Sequence, residues 1–480
     1  MTYWTIIWGA AFAAVLAAWA RRGLRNYARV AALAFRMPGP KVTPLFGNIL
    51  LIKDDRGLED VGTTAYQNYG PIFRCWLFFV PAFFVYEPEH LKILFSHSKL
   101  SEKNFPYSVM HTFLGDGLVT STGAKWRMHR RLIQPYFHVN VLENYVDTFA
   151  EYSDGMVKAL AGKKYVEITR VVNDCVLRVL HKTVLGVTLG LDRNSTPFRR
   201  GELLLIKRLL RPWLLVDLIF RRSQLSTTES RQKSDLHAYT KEILRARTGG
   251  GGGVCLLDML ADLARGRANF DENDVVNEAV TFMLTGQDSV GAAVAFCLHF
   301  LAANEHEQSR ARAEIDDIFG ADSTPTFKMA QLNEMHYLEQ CVKESLRLAP
   351  SVPIVSRVLK RDVHLEGYTI PRGANVFVSP FITHRLPQYY PDPLKFDPDR
   401  FSPENSGKMH PYAFLPFSAG PRNCIGSKFA ILEMKTIIAA VLKNYRIGLM
   451  PGRERLQLGY RVTLRARNGI WLEVWPRSEC

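Results

Sequence analysis

The chain has 480 residues, 47% hydrophobic and 22% charged, which excludes a disordered or low-complexity polymer and provides for a large core. Its 61 Lys and Arg against 46 Asp and Glu leave a net charge of +15, which points to an acidic membrane face or an acidic protein as partner. No zinc-finger spacing or RNA-binding motif accompanies the charge, so nucleic acid is not the expected partner.

In chain order, the uncharged run Tyr3–Ala20 comes first, roughly 27 Å long as a helix and enough to cross a bilayer. Arg21, Arg22, Arg25 and Arg29 follow it, which predicts an anchor over 1–22 with the rest of the chain on the cytoplasmic side. A signal peptide would carry its positive charge before the apolar run. Met37-Pro38-Gly39-Pro40, with Pro44 and Gly47, makes 23–61 a basic, Pro-rich linker, and 62–480 is expected as one catalytic domain. Apolar periodicity predicts helices over Lys125–Phe137, Leu142–Leu160, Asp235–Arg247, Asp274–Asn304, Met335–Leu348 and Ile425–Asn444. Strand-like runs lie near Ile72–Val85, Val376–Val378 and Ile470–Trp475, so the fold class is mainly α with small β-sheets. The five glycines 249–253 lack the Lys and Ser/Thr of a phosphate loop and read as a flexible surface loop.

The cysteines (75, 175, 255, 297, 341, 424 and 480) are scattered, odd in number and without a CxxC pair. This argues against a disulfide framework or a structural zinc site and for a reducing compartment. Only Cys424 stands in a demanding context. The segment from Phe417 to Gly426 is a Gly/Pro-rich loop that ends in the cysteine and runs into a helix. A cysteine at a helix N-terminus is favoured as thiolate by the dipole and free N–H groups. Gly420 suits a tight turn, Gly426 admits a flat cofactor, and Arg422 adds a cation near the sulfur.

Other polar residues stand out against apolar helices. Gly286, Asp288 and Ser289 interrupt the run Phe282–Gly291; a mid-helix glycine costs about 1 kcal/mol and an unpaired buried Asp more. Ser289 can bond back to the Thr285 carbonyl and open the helix, while Gly286 leaves room for a small ligand. Glu344 and Arg347 share a helix face, and Trp126 and Arg130, one turn apart, can reach one anionic group. Arg127 and Arg131 read as solvated, and His129 as structural or exposed.

Phe417, Gly420, Arg422, Cys424 and Gly426 stand where the cytochrome P-450 signature has them, and the chain resembles that superfamily. His410–Phe417 and Phe429–Thr436 make it most similar to the fourth cytochrome P-450 family, its insect-type members above all. The resemblance implies the cytochrome P-450 fold behind one N-terminal transmembrane helix, with heme b held non-covalently apart from a bond between Cys424 and iron. It implies Trp126, Arg130, Arg357 and Arg422 as heme-propionate contacts, Glu344, Arg347 and Arg400 as a structural triad, and Asp288, Ser289 and Gly286 as the oxygen-activating set. It further implies an apolar substrate (a fatty acid, terpenoid or xenobiotic), O2, and NADPH electrons through an acidic flavoprotein reductase, with cytochrome b5 a second candidate donor. The implied place is the endoplasmic reticulum membrane, single-pass, with the catalytic domain cytosolic. Lys125, Arg127, Arg131, Lys428 and Lys435 are the expected reductase-docking patch. Two departures stand out: Thr285 replaces a Glu that many members ester-link to heme, and Asp288-Ser289-Val290 replaces Asp-Thr-Thr, which implies looser coupling of oxygen use to product. The alternatives are a peroxide isomerase or dehydratase of the same fold that needs no reductase, and a non-catalytic heme sensor.

Overall fold

The computed structural model of the chain describes residues 21–477 apart from 22, 52–56, 97–100, 104, 191–195, 201–206, 209–210, 248–254, 267–268, 321–326 and 461. The expected anchor run at 3–20 and the five-glycine run lie outside the described residues. Among the described residues, only Glu272–Ala303 is long and apolar enough to cross a membrane, and most of it is buried in the fold.

The described residues form two compact units. The first comprises those of Met1–Phe105 and Ser356–Val378. Its aromatic and β-branched runs Ile72–Leu77 and Val80–Val85 pair antiparallel about a tight turn at Phe78, whose φ is +56°. Val80–Val85 runs parallel to Asn375–Val378, and the five-stranded sheet is completed by Val355–Leu359 and Ser101–Glu102. Phe73 stacks on Phe84 at 5.1 Å and Phe84 on Phe377 at 5.3 Å, an aromatic ladder across three strands. A helix covers residues 23–35, and Arg29, expected to flank the anchor as a free cation, is bound by Asp362.

The second unit, the described residues of Pro106–Val355 and Ser379–Cys480, is mostly helical. Its centre is Glu272–Ala303, hereafter the central helix, along which Met283, Val294, Ala295 and Leu298 are wholly buried. It packs against Ile168–Leu180, against His336–Leu348 (the Glu344 helix) and against Ser427–Asn444 (the cysteine helix). The central helix starts ahead of the predicted Asp274 because Asp271 and Asp274 form a reciprocal capping box. The helix predicted from Asp235 begins at Gln224, since its first turns are polar and carry little apolar periodicity. The helix predicted over Lys125–Phe137 is α-helical over Gly123–Ile133 (the tryptophan helix) and tightens to 3-10 geometry over Gln134–Phe137, where Pro135 removes a donor.

Two buried glutamates of this unit have opposite surroundings. Glu344 binds Arg347 through both oxygens at 2.6 and 2.7 Å, and both residues are wholly buried. Glu433 on the cysteine helix is also wholly buried, but neither carboxyl oxygen has a hydrogen-bond partner, and burial raises its pKa well above the ordinary 4.5. The same substitution should therefore act with opposite sign. Glu344→Gln strips Arg347 of its countercharge and should cost about 3–5 kcal/mol. Glu433→Gln leaves an uncharged amide and removes the cost of holding the carboxyl protonated above its ordinary pKa, so it should stabilise by about 1–3 kcal/mol at neutral pH. A carboxyl with a raised folded pKa loses stability as pH climbs above its unfolded value, so the Glu433→Gln gain should vanish below pH 4.5 and grow above it. Thermal unfolding of both variants across that range is the measurement.

Candidate active site

The cysteine loop is shaped by its backbone. Gly420 has φ +70° and Ser418 φ +59°, so the loop doubles back between Phe417 and Cys424, and the Cys424 N–H donates to the Phe417 carbonyl at 2.9 Å. Gly420–Arg422 forms one 3-10 turn, and the cysteine helix begins only at Ser427, capped by Gly426. The expectation that the helix starts at Ile425, with the thiol directly on its end, is thus corrected. Of the described cysteines, Cys75, Cys175, Cys255, Cys297 and Cys341 are buried, and Cys424 alone is exposed.

Arg130, on the tryptophan helix, grips the loop from the side. It donates to the Asn423 carbonyl at 2.9 Å and to Asn423 Oδ1 at 2.8 Å. Burial lowers the pKa of this guanidinium, and attraction to the Cys424 sulfur partly offsets that. Arg422, expected as a cation near the sulfur, lies over the Trp126 ring at 4.0 Å and donates to the Ser121 carbonyl at 2.7 Å. Trp126, Arg130, Arg422 and Cys424 are therefore neighbours in one unit. Arg357 belongs to the sheet unit, buried, donating to the Ser356 carbonyl at 2.9 Å beside the Phe95 ring.

The Phe137 ring links the loop to the central helix: a Cβ on Gly426 would touch it at 3.7 Å, and it stacks on Phe282 at 5.2 Å. Two turns further on, Ser289 Oγ donates to the Thr285 carbonyl at 2.7 Å, and Ser351 Oγ donates to the Ser289 carbonyl at 2.8 Å. The helix runs through this bond as one element to Ala303. Asp288 is held by Thr463 and Arg465. Gly286 has a packing reason that the sequence concealed: a Cβ there would lie 3.1 Å from Leu180 Cδ2, so the glycine lets Ile168–Leu180 approach.

Glu344 and Arg347 meet as their spacing predicts, and Arg400, expected with them from the resemblance, lies with Nε 3.5 Å from Glu344. The basic patch is altered. Lys435 is 2% exposed and bonded to Glu339 at 3.1 Å, so it cannot face a partner. Lys125 is bound by Asp116 at 3.0 Å and Asp274 at 2.8 Å, which leaves Arg127, Arg131 and Lys428 as the exposed cations. His129, read as structural or exposed, is fully buried against Glu278, an acid that sequence reasoning did not single out. The only local signal for Glu278 was an acidic residue among Val275, Val276, Ala279 and Val280.

The cytochrome P450 family model matches residues 37–470. The chain belongs to the cytochrome P450 family. It is 44% identical over 471 residues to the probable cytochrome P450 4aa1 of Drosophila melanogaster, covering 95% of this chain and 92% of that protein. It is 33% identical to human cytochrome P450 4V2, covering 98% and 97%, and 35% identical to cytochrome P450 4c21 of Blattella germanica, covering 87% and 89%. The chain is thereby a P450 monooxygenase, an oxidoreductase of a family that carries heme whose iron is ligated by a cysteine.

The residues of this P450 fit that group. Heme needs one soft axial ligand and cations for its propionates. Cys424 is the exposed thiol, no cluster of three or more His, Cys, Asp or Glu among the described residues competes for a metal, and Arg130 and Arg422 are fixed beside the loop by backbone carbonyls. Arg422→Lys keeps the charge but loses the planar stack on Trp126 and the fork to the carbonyls. Heme transfer to excess apomyoglobin should accelerate about tenfold, the equivalent of one charge-assisted hydrogen bond.

Proposed function

We propose that this P450 hydroxylates an apolar, lipid-like substrate (a fatty acid, terpenoid or xenobiotic) using O2 and NADPH electrons delivered by a flavoprotein reductase. In this reading residues 1–22 anchor the chain in the endoplasmic reticulum membrane, 23–61 link it to the bilayer, and 62–480 form the cytosolic catalytic domain. The observation that carries the site assignment is the exposure of Cys424 on a strained loop gripped by Arg130. Likeness to relatives named as fourth-family P450s supports the lipid-like class.

Heme, when bound, would supply activation of dioxygen and transfer of one oxygen atom to a C–H bond. The chain's own residues have separate tasks. Cys424 would hold the heme iron as a thiolate, which the Arg130 charge favours. Arg130, Arg422 and Trp126 are the propionate contacts of the helical unit, and Arg357 has that role by resemblance alone. Ser289 Oγ, already directed by the Thr285 carbonyl, passes protons on the central-helix side. Asp288, partly exposed and tied to Arg465, links that hydroxyl to solvent. Thr285 Oγ donates to the Thr281 carbonyl at 2.7 Å and has no carboxyl to esterify heme. Arg127, Arg131 and Lys428 are left to steer an acidic reductase, with cytochrome b5 as a second candidate.

Reconstitution with reductase, NADPH and a panel of fatty acids and terpenoids tests this reading. We expect a reduced CO band at about 450 nm, product from at least one lipid, and loss of both in Cys424→Ala. Acid–organic extraction should release unmodified heme. A CO band without product under any condition would favour the sensor alternative, and product from hydroperoxide without reductase the isomerase alternative.

Ser289→Ala should keep heme content and the CO band while product per NADPH falls several-fold and hydrogen peroxide release rises. An unchanged ratio would assign proton delivery to another group.

A further inference from the structure

The central helix carries more polar residues than Asp288 and Ser289 require. Asp271, Asp274, Glu278, Thr281, Thr285 and Ser289 recur at spacings of three and four, which places them on one face of an otherwise apolar helix. Asp271 and Asp274 cap the helix, and Thr285 and Ser289 are bonded to carbonyls. Glu278 and Thr281 remain. Both are buried, at 0% and 2% exposure, and Thr281 Oγ has no hydrogen-bond partner.

Glu278 is met by His129. The imidazole is wholly buried, stacked 4.9 Å from the Phe270 ring, with one acid at each nitrogen. Nδ1 lies 2.6 Å from Glu278 Oε1, and Nε2 lies 3.8 Å from Asp274 Oδ2. Asp274 is close to solvent, its side chain 12% exposed, and continues outward through Lys125 at 2.8 Å and Asp116 at 3.0 Å to His111 at 3.1 Å. On the inner side, Glu278 Oε2 accepts the Leu118 N–H at 3.1 Å and borders Gly117. A Cβ on Gly117 would lie 3.2 Å from Glu278 Oε2 and 2.7 Å from Thr281 Oγ, so both polar atoms approach the same glycine closely.

We infer that His129 and Glu278 are a proton inlet of this enzyme, carrying protons from the Asp116–Lys125–Asp274 surface cluster to the polar face of the central helix that ends at Ser289. An imidazole between two carboxylates suits this task, because it can accept a proton at one nitrogen and release one from the other. Nε2 takes a proton from the Asp274 side, Nδ1 gives its own to Glu278, and ring reorientation restores the tautomer. Only N–H and O–H bonds change, and the net charge of the ring returns to its starting value. Glu278, in a site where burial raises its pKa, is suited to holding the proton before Thr281. The rival role is a structural clasp, since Glu278 also joins the tryptophan helix to the loop at Leu118.

The inlet rests on the hydroxylase reading, and full-length holoprotein separates the two. His129→Gln and Glu278→Gln keep polar contacts but cannot pass a proton through the pair. With reductase and NADPH, turnover should fall about tenfold or more, and its solvent deuterium isotope effect should rise. Turnover driven by an organic hydroperoxide, an oxidant already reduced and protonated, should be unchanged, as should heme content and the reduced CO band. Parallel loss of hydroperoxide turnover or heme in both variants would make the pair a clasp and overturn the inlet. An active parent matched by both variants would overturn the inlet alone. A parent inactive with reductase would overturn the hydroxylase reading and the inlet with it.

Discussion

A guanidinium with no solvent exposure must find a partner for every donor, and Arg347 does so in a way that positions the cysteine loop. Besides Glu344, it donates to the carbonyls of His384, Pro393 and Lys395 at 2.9, 2.7 and 3.0 Å, while Glu344 accepts the Asp397 N–H. Three carbonyls and one N–H of an irregular segment are thus tied to one helix face. His384 extends the tie. Burial, with the Arg347 and Arg385 charges adding to it, pushes its pKa down to about 3, so the ring is neutral. Nδ1 donates to the Arg347 carbonyl, and Nε2 accepts the Leu415 N–H at 2.7 Å. Two residues beyond Leu415, Phe417 opens the turn that presents Cys424. A buried pair of this kind contributes little net stability, but it leaves the segment few alternative arrangements.

The central helix shows how one element serves both packing and chemistry. Its apolar residues fill the core of the helical unit, and a stripe of acids and hydroxyls runs along one face. Apart from Thr281, each polar residue has its own remedy for burial: a capping box for Asp274, an imidazole for Glu278, a back-bonded carbonyl for Thr285 and Ser289, and Thr463 with Arg465 for Asp288. Glu433 on the cysteine helix has no such remedy. The contrast separates buried polarity that the fold has accommodated from buried polarity that it merely tolerates.

Much of this was legible in the sequence wherever the physics is short-range. Helix geometry alone brings Glu344 to Arg347 and Ser289 Oγ to the Thr285 carbonyl, and local chain chemistry makes a turn of the segment from Phe417 to Cys424. The strand and helix positions followed from apolar periodicity, with errors at ends such as Gln224 and Ser427, where caps and polar turns decide. Only the tertiary structure decided which distant residue each polar group would meet. Lys435 looks like a surface cation by composition, yet it faces Glu339; Arg422 stacks on Trp126; Gly286 yields to Leu180; and His129 finds Glu278, 149 positions along the chain. Periodicity assigns a residue to a face, but the partner of that face depends on how helices far apart in sequence pack, and no local spacing encodes that.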